Sequence, residues 1–147
     1  MPGLRWVQLS GDALDDFLGK GGTGVISFTQ AANESPVSFP VSYGYAADTT
    51  TFYFRLSFLP GSDRDSIVDQ PMAFVTAEQT DRGWQSVVAT GELEDIESMP
   101  YDSVTVQEMW AIEIPTVDIF DEVRSEITFR NFCLDPESLT GRKEVEP

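Results

Sequence analysis

Short runs of alternating apolar and polar residues recur along this chain, and most of them end at a turn signal. An alternation of two residues is the period of a β-strand with one buried face. The runs cover 25–29, 37–45, 51–56, 72–77, 84–93, 110–114 and 126–134. Most gaps between runs are too short for a helical crossover, which favours antiparallel pairing. The pattern predicts an all-β sandwich or barrel, and 147 residues suffice for one domain, placed at 1–147.

Helical signals are few. Ser10 or Asp12 can cap a short helix that Gly19 ends, and Leu14 and Leu18 lie on one face of it. A short helix at 62–68 and a loop or short helix around 97–100 are also predicted. The polar segment after Asp135 contributes no predicted strand.

The balance of charge is strongly acidic. Asp and Glu total 25 against 9 Lys and Arg, which gives a net charge of −16. Such a surface repels nucleic acid and anionic lipid, so we expect no partner of either kind. The acidic residues are scattered rather than gathered in one tail. Because molar salt shortens the Debye length to about 3 Å and screens this repulsion, the composition predicts a halophilic protein.

The numbers of cysteines and histidines limit the reactions that this chain can catalyse, and its hydropathy limits where it can be located. The lone Cys133 lies in an alternating run and is predicted to be a buried, inert thiol rather than a nucleophile. The chain has no histidine, which removes His-based triads and the commonest zinc sites, and we predict no metal. No run of eighteen apolar residues and no apolar leader is present, so a cytoplasmic location is expected.

One cation interrupts the most apolar run. Arg55 lies within 52–56, and Ser57, Ser62 and Arg64 follow it. Two guanidinium groups and two hydroxyls near one strand end can hold a phosphate, because arginine matches its oxygens in pairs. The alternative is that both arginines merely pair with the abundant acids. The glycines of 19–24 are expected to form a turn, because they follow a helix rather than the strand a phosphate loop requires.

Several elements in this order resemble the pyridoxamine 5'-phosphate oxidase-like FMN-binding split barrels, especially the branch of the nitroimidazole-resistance proteins. The similar elements are the helix and glycine turn of 18–28, Pro40-Val41-Ser42-Tyr43, the aromatic run with Arg55, the basic turn at 61–64, Gln70-Pro71, Trp84-Gln85-Ser86-Val87 up to Gly91, and Pro136 to Arg142. Together they span nearly the whole chain.

The resemblance implies an antiparallel split β-barrel of six to eight strands with a few short helices, holding FMN between the subunits of a homodimer. It assigns the flavin phosphate to Arg55, Ser57, Ser62 and Arg64, with Leu56 between the first two. Backbone groups of Val41, Ser42 and Tyr43 would bind the isoalloxazine edge. Gln85 and Ser86 would contact the ribityl chain or the ring. No catalytic side chain is implied.

The function implied is that of a flavin oxidoreductase passing electrons from a reduced nicotinamide to a small-molecule substrate. Two alternatives remain: a protein that stores, senses or shuttles flavin with little turnover, and a relative that binds the deazaflavin F420. The acidic surface disfavours F420, whose polyglutamate tail calls for basic residues. Pyridoxamine phosphate oxidase activity itself is not expected, because it relies on a C-terminal Arg-x-His-type element and this chain lacks histidine.

Overall fold

A computed structural model describes residues 5–30, 32–58, 70–81, 83–112, 114 and 128–145. These residues form one antiparallel sheet of nine strands in the order β1-β9-β6-β5-β2-β3-β4-β8-β7. The strands are β1 (Arg5–Gln8), β2 (Gly22–Phe28), β3 (Val37–Ala46), β4 (Thr51–Phe58), β5 (Pro71–Thr80), β6 (Gly83–Glu92), β7 (Glu94–Asp95), β8 (Thr128–Leu134) and β9 (Ser138–Val145). The helices are α1 (Gly11–Leu18), α2 (Val104–Ala111) and the 3-10 turn Ile96–Ser98. The all-β, antiparallel prediction is confirmed.

The sheet curls into a half-barrel whose inner face holds the main core. Alternation puts Val41, Tyr43 and Tyr45 of β3 on that face. The rings of Phe54 and Tyr43 lie 4.8 and 5.1 Å from the ring of Phe74, in tilted and edge-on geometry. Offset and edge-on arrangements of this kind stabilise aromatic pairs beyond the area that they bury.

A glycine allows β2 to approach this aromatic core. A Cβ atom at Gly24 would lie 2.5 Å from a ring carbon of Phe74 and 2.6 Å from the carbonyl oxygen of Val75. No larger residue fits there without displacing the backbone of β5. The glycine turn predicted at 19–24 is too long, because β2 begins at Gly22.

A second, smaller cluster covers part of the outer face of the sheet. Helix α2 packs Val106 and Met109 against Ala46, Tyr53 and Cys133, which face outward from three neighbouring strands. The Tyr53 hydroxyl also donates a hydrogen bond to the Glu108 carboxylate on α2. This layer covers one end of the outer face only.

The predicted strand at 110–114 is wrong, because α2 runs to Ala111. Ser103 caps this helix by accepting a hydrogen bond from the Val106 backbone amide at 3.2 Å. Val106 and Met109 are three residues apart and share its buried face, while Trp110 is 66% exposed. The short alternation at 110–114 therefore comes from the end of an apolar helix. The helix predicted at 62–68 lies outside the described residues.

Additional strands raise the number above the six to eight expected. β1 pairs with β9, and β9 pairs with β6, so the polar C-terminal segment becomes part of the sheet. Leu139 and Gly141 of β9 face the packed side of the sheet, while Thr140 between them is exposed. In the described part of the chain, neither helix is long and apolar enough to cross a bilayer.

Candidate functional site

The outer face of the sheet carries a row of polar residues across four neighbouring strands. Asn131 of β8 lies opposite Arg55 of β4, Arg55 lies opposite Ser42 of β3, and Ser42 lies opposite Thr23 of β2. In β3 and β4, the residues on either side of Ser42 and Arg55 belong to the inner core. Because side chains alternate along a strand, Ser42 and Arg55 lie on the outer face. The sheet register therefore brings together two of the residues that the sequence selected, Ser42 and Arg55.

The strands β3 and β4 separate at this row. Their ladder ends at the rung between Ser42 and Arg55. Beyond it, β3 continues back to Val37 beside β2, and β4 continues to Phe58 beside β8. We call this point the fork. The backbone edges that face each other across the fork, around Val41 and Leu56, are not joined by a ladder.

Arg55 is half-buried at the fork and has a neutral neighbour. Its Nε donates a hydrogen bond to Oδ1 of Asn131 at 3.4 Å. Among the described residues it forms no ion pair. Arg130, the preceding residue on β8, differs: it pairs with the Asp95 carboxylate and lies over the Phe132 ring, 5.4 Å from its centroid. Within the described ranges, an ion pair with an acid is therefore seen for Arg130 and not for Arg55.

Behind Asn131 lies a carboxylate. Both Glu97 oxygens accept from the Asn131 backbone amide, at 3.1 and 3.3 Å, and Oε1 also lies 3.5 Å from the side-chain nitrogen Nδ2. The Glu97 side chain is exposed overall, but its carboxyl is partly shielded by β8. This loss of hydration raises the pKa of Glu97, and hydrogen bonding and charge from Asp95 raise it further, against the lowering effect of the backbone amides.

The remaining predicted residues lie elsewhere or are not described. The side chains of Val41, Tyr43 and Leu56 are in the core, so only their backbone could face a ligand. Ser57 pairs through its backbone with Phe129. Ser62 and Arg64 lie outside the described residues.

The predicted pair on β6 is divided between the two faces of the sheet. Ser86 lies opposite Ala77 and Arg142 on the outer face, whereas Gln85 lies opposite Glu78 and points to the other side. Three strand spacings separate Ser86 from Ser42, roughly 14 Å at the usual distance between strands. Within one chain, Ser86 therefore belongs to a different part of the outer face from the fork.

An apolar strip runs beside the polar row, two residues further along β2, β5 and β6. Val25, Val75 and Val88 are opposite one another on β2, β5 and β6, and the first two are 43% and 40% exposed. A contiguous exposed strip on a sheet face is typical of a surface that another molecule covers.

Two titratable groups away from the fork, Cys133 and Tyr43, are buried in the packed clusters. Cys133 is buried as predicted, and burial, with the charges of Glu94 and Asp135, raises the pKa of its thiol to about 12. Burial also raises the pKa of Tyr43, whose ring packs in the core. Within the described residues no cluster of Cys, Asp and Glu is arranged to hold a metal ion.

Sequence reasoning missed Asn131 and Glu97. Both lie in segments that carried no motif, and they meet only because the 3-10 turn packs on β8, 34 residues further along the chain. The one signal was the polar pair Arg130-Asn131 inside an otherwise apolar run.

Comparison with known proteins gives a family and a fold. A sequence profile described as pyridoxamine 5'-phosphate oxidase matches residues 10–143. No curated protein matches the sequence.

Solved structures share the architecture at low sequence identity. An FAD binding protein from Mycobacterium smegmatis is 18% identical with a TM-score of 0.66, covering 96% of this chain and 99% of that one. An FAD-binding protein from Mesorhizobium loti is 18% identical with a TM-score of 0.59, covering 98% and 100%. A candidate 5-nitroimidazole antibiotic resistance protein from Bacteroides thetaiotaomicron is 13% identical with a TM-score of 0.65, covering 98% and 90%.

Proposed function

We propose, from the premise that this chain belongs to the pyridoxamine 5'-phosphate oxidase family, that it is a flavoprotein that holds FMN at the fork. The proposal rests on one observation above all. Arg55 is a half-buried arginine on a sheet face, and its described partner is a neutral amide. A guanidinium in such a place is costly unless it has an anionic partner, and a phosphate supplies one.

The fork offers the second half of the site. Flavin rings carry hydrogen-bond donors and acceptors along one edge, and the unjoined backbone edges of β3 and β4 carry matching groups. Ser42 adds a hydroxyl next to Arg55 on the same rung. The chain would therefore bind the phosphate by charge and the ring edge by backbone. The FAD binding described for two structural neighbours is consistent with a flavin at this fold.

The chemistry of a flavoprotein resides mainly in its cofactor. A bound flavin would supply the redox chemistry, while the protein binds it, orients it and excludes water. This fits a site with no histidine and no reactive thiol. We propose that the protein is an oxidoreductase that passes electrons from a reduced nicotinamide to a small acceptor.

We also propose that the protein is a C2 homodimer. A second copy laid over the strip of Val25, Val75 and Val88 would cover this exposed apolar surface, which lies beside the polar row of the fork. Light scattering should then give twice the 16.3 kDa mass of the chain. Val75→Glu should produce monomers. The same substitution at Val104, which is 80% exposed on α2, should leave the dimer intact. A wild-type monomer in the flavin-loaded form would contradict the proposal.

The acidic composition supports a further proposal, that the protein works in the salt-rich cytoplasm of a halophile. The net charge of −16 resides in a chain of only 147 residues. Its self-repulsion is screened at molar ionic strength and opposes folding in dilute buffer.

The experiment that tests the flavin site compares FMN with riboflavin, which lacks the phosphate. Arg55→Ala should weaken FMN by roughly ten- to a hundred-fold, because a charge-assisted contact is worth about 1.5–3 kcal/mol. Riboflavin should bind the variant and the wild type equally. Lys20→Ala is the matched control, since it removes the same charge from an exposed position outside the sheet. If Arg55→Ala binds FMN as tightly as the wild type, the phosphate is not at Arg55.

The proposed oxidoreductase activity is tested separately from flavin binding. Anaerobic titration of the yellow protein with NADH and NADPH should bleach the flavin absorbance, and a suitable acceptor should restore it. A flavin that neither nicotinamide reduces would favour a storage or shuttle role instead.

A further inference from the structure

We infer that Asn131 is a positioning residue that keeps the Arg55 guanidinium available for an anion. This inference rests on the proposed flavin site and goes beyond it, because Asn131 lies on a strand to which no ligand contact was assigned. Asn131 stands between a cation and a carboxylate: its side-chain oxygen accepts from Arg55, and its backbone amide donates to Glu97.

The geometry at Arg55 determines which donors remain. Asn131 occupies Nε, and no residue of the described segments contacts the two terminal nitrogens of the guanidinium, which can therefore bind an anion. Those two nitrogens form one of the donor pairs with which arginine binds a phosphate in bidentate fashion. Because Nδ2 of Asn131 lies 3.5 Å from Glu97 Oε1, the amide presents its oxygen rather than its nitrogen to Arg55.

The electrostatic role of Asn131 is to separate two opposite charges. Glu97 is held by the Asn131 backbone amide and forms no ion pair with Arg55 among the described residues. Asp95, the neighbouring acid, is taken by Arg130. In a chain with 25 acidic residues, a carboxylate on Arg55 would compete directly with a phosphate. A neutral residue at position 131 prevents that competition.

The measurement is the ratio of the riboflavin dissociation constant to the FMN dissociation constant, which isolates the contribution of the phosphate. Asn131→Asp places a carboxylate beside Arg55 and should lower this ratio about tenfold or more while riboflavin affinity stays unchanged. Asn33→Asp is the matched control, because it makes the same change at an exposed turn and should leave the ratio alone.

A second variant guards against loss of folding and tests the mechanism. Asn131→Ala removes the acceptor for Arg55 and the side-chain donor to Glu97. The backbone amide remains as a donor, but nothing then stands between the Glu97 carboxylate and Arg55, and the ratio should fall. Adding Glu97→Gln should then restore much of the ratio, which a merely structural role of Asn131 would not do.

The outcomes separate the two proposals. A wild type that binds FMN and riboflavin equally overturns the phosphate site and this inference together. A wild type that prefers FMN through Arg55, with Asn131→Asp and Asn131→Ala leaving the ratio unchanged, overturns the role of Asn131 alone. No restoration by Glu97→Gln would overturn the separation of charges.

Discussion

The Tyr53 hydroxyl donates a 2.6 Å hydrogen bond to Oε1 of Glu108, which ties strand β4 to the helix α2. The Tyr53 side chain is 1% exposed, and Thr49 donates to the same oxygen at 2.7 Å. Burial, and then the hydrogen bond to Glu108, raise the pKa of Tyr53 far above its usual value, so the phenol stays protonated. Tyr53→Phe should lower the free energy of unfolding by about 1–2 kcal/mol, measured by urea denaturation.

Thr49→Ala is the control for this bond. Thr49 is exposed, so its loss should shift the urea midpoint less than the loss of the buried phenol. Equal midpoints for Tyr53→Phe and the wild type would mean that this bond adds nothing to the docking of α2.

Gly24 permits the close approach of β2 to β5. Gly24→Ala should destabilise the fold by about 1–3 kcal/mol, because the new methyl would lie 2.5 Å from the Phe74 ring and 2.6 Å from a backbone oxygen. Gly11→Ala is matched in chemistry and meets nothing within 4 Å. Thermal unfolding should separate the two variants, and a shared melting temperature would contradict the steric argument.

Glu97 should make stability depend on pH. Partial burial of its carboxyl raises the pKa in the folded state above the unfolded value. The folded state then holds this proton more tightly than the unfolded state. Its contribution to the free energy of unfolding is fully present below the unfolded pKa and is lost as the pH rises through the folded pKa. Relative to Glu97→Gln, the wild type should lose stability as the pH rises from about 4, the ordinary pKa of a glutamate, through the higher pKa of the folded state.

Urea denaturation across this range measures the effect. Glu78→Gln, an exposed carboxylate on β5, serves as the comparison. If the difference between Glu97→Gln and the wild type does not change with pH, the carboxyl at 97 does not titrate abnormally.

Cys133 should be chemically silent in the folded protein. Its thiol is buried in the cluster under α2, and burial raises its pKa to about 12, so almost no thiolate exists near neutral pH. A thiol reagent should react slowly in native buffer, no faster than the protein opens, and rapidly in denaturant. Rapid labelling of the native protein would show that α2 opens frequently.

Salt should stabilise the protein. With a net charge of −16, the melting temperature should rise as KCl is raised from about 0.1 M to molar concentrations. A melting temperature that is flat or falls over this range would contradict adaptation to salt.

Local sequence signals were sufficient where one face of an element is buried. The alternation in 37–45 predicted a strand, and β3 is a strand whose Val41, Tyr43 and Tyr45 are buried. The caps at Ser10 and Gly19 predicted α1, and Ser10 does accept from the Ala13 amide at 3.2 Å. In these elements, periodicity and packing agree.

The incorrect predictions share one physical cause, which is contact between residues that are far apart in the sequence. Helix α2 is apolar on its exposed side as well, so the short apolar stretch at its end has the pattern of a strand. β9 looked like a polar tail because its outward residues are hydrophilic, and only pairing with β6 and β1 makes it a strand. Arg55 was identified from its apolar surroundings, but its neighbours Asn131 and Glu97 come from β8 and the 3-10 turn, which no local pattern connects.

The pairing of β4 with β8 has a consequence for the order of events during synthesis. Phe58 lies opposite Thr128, about 70 residues later, and β8 and β9 contribute Phe132, Leu134 and Leu139 to the main core. A nascent chain that has emerged only through β6 still has one backbone edge of β4 unpaired, because β8 is not yet made. Non-local pairing of this kind slows folding and prolongs the time during which unpaired edges can associate wrongly. The fold should therefore be completed only after most of the chain has left the ribosome.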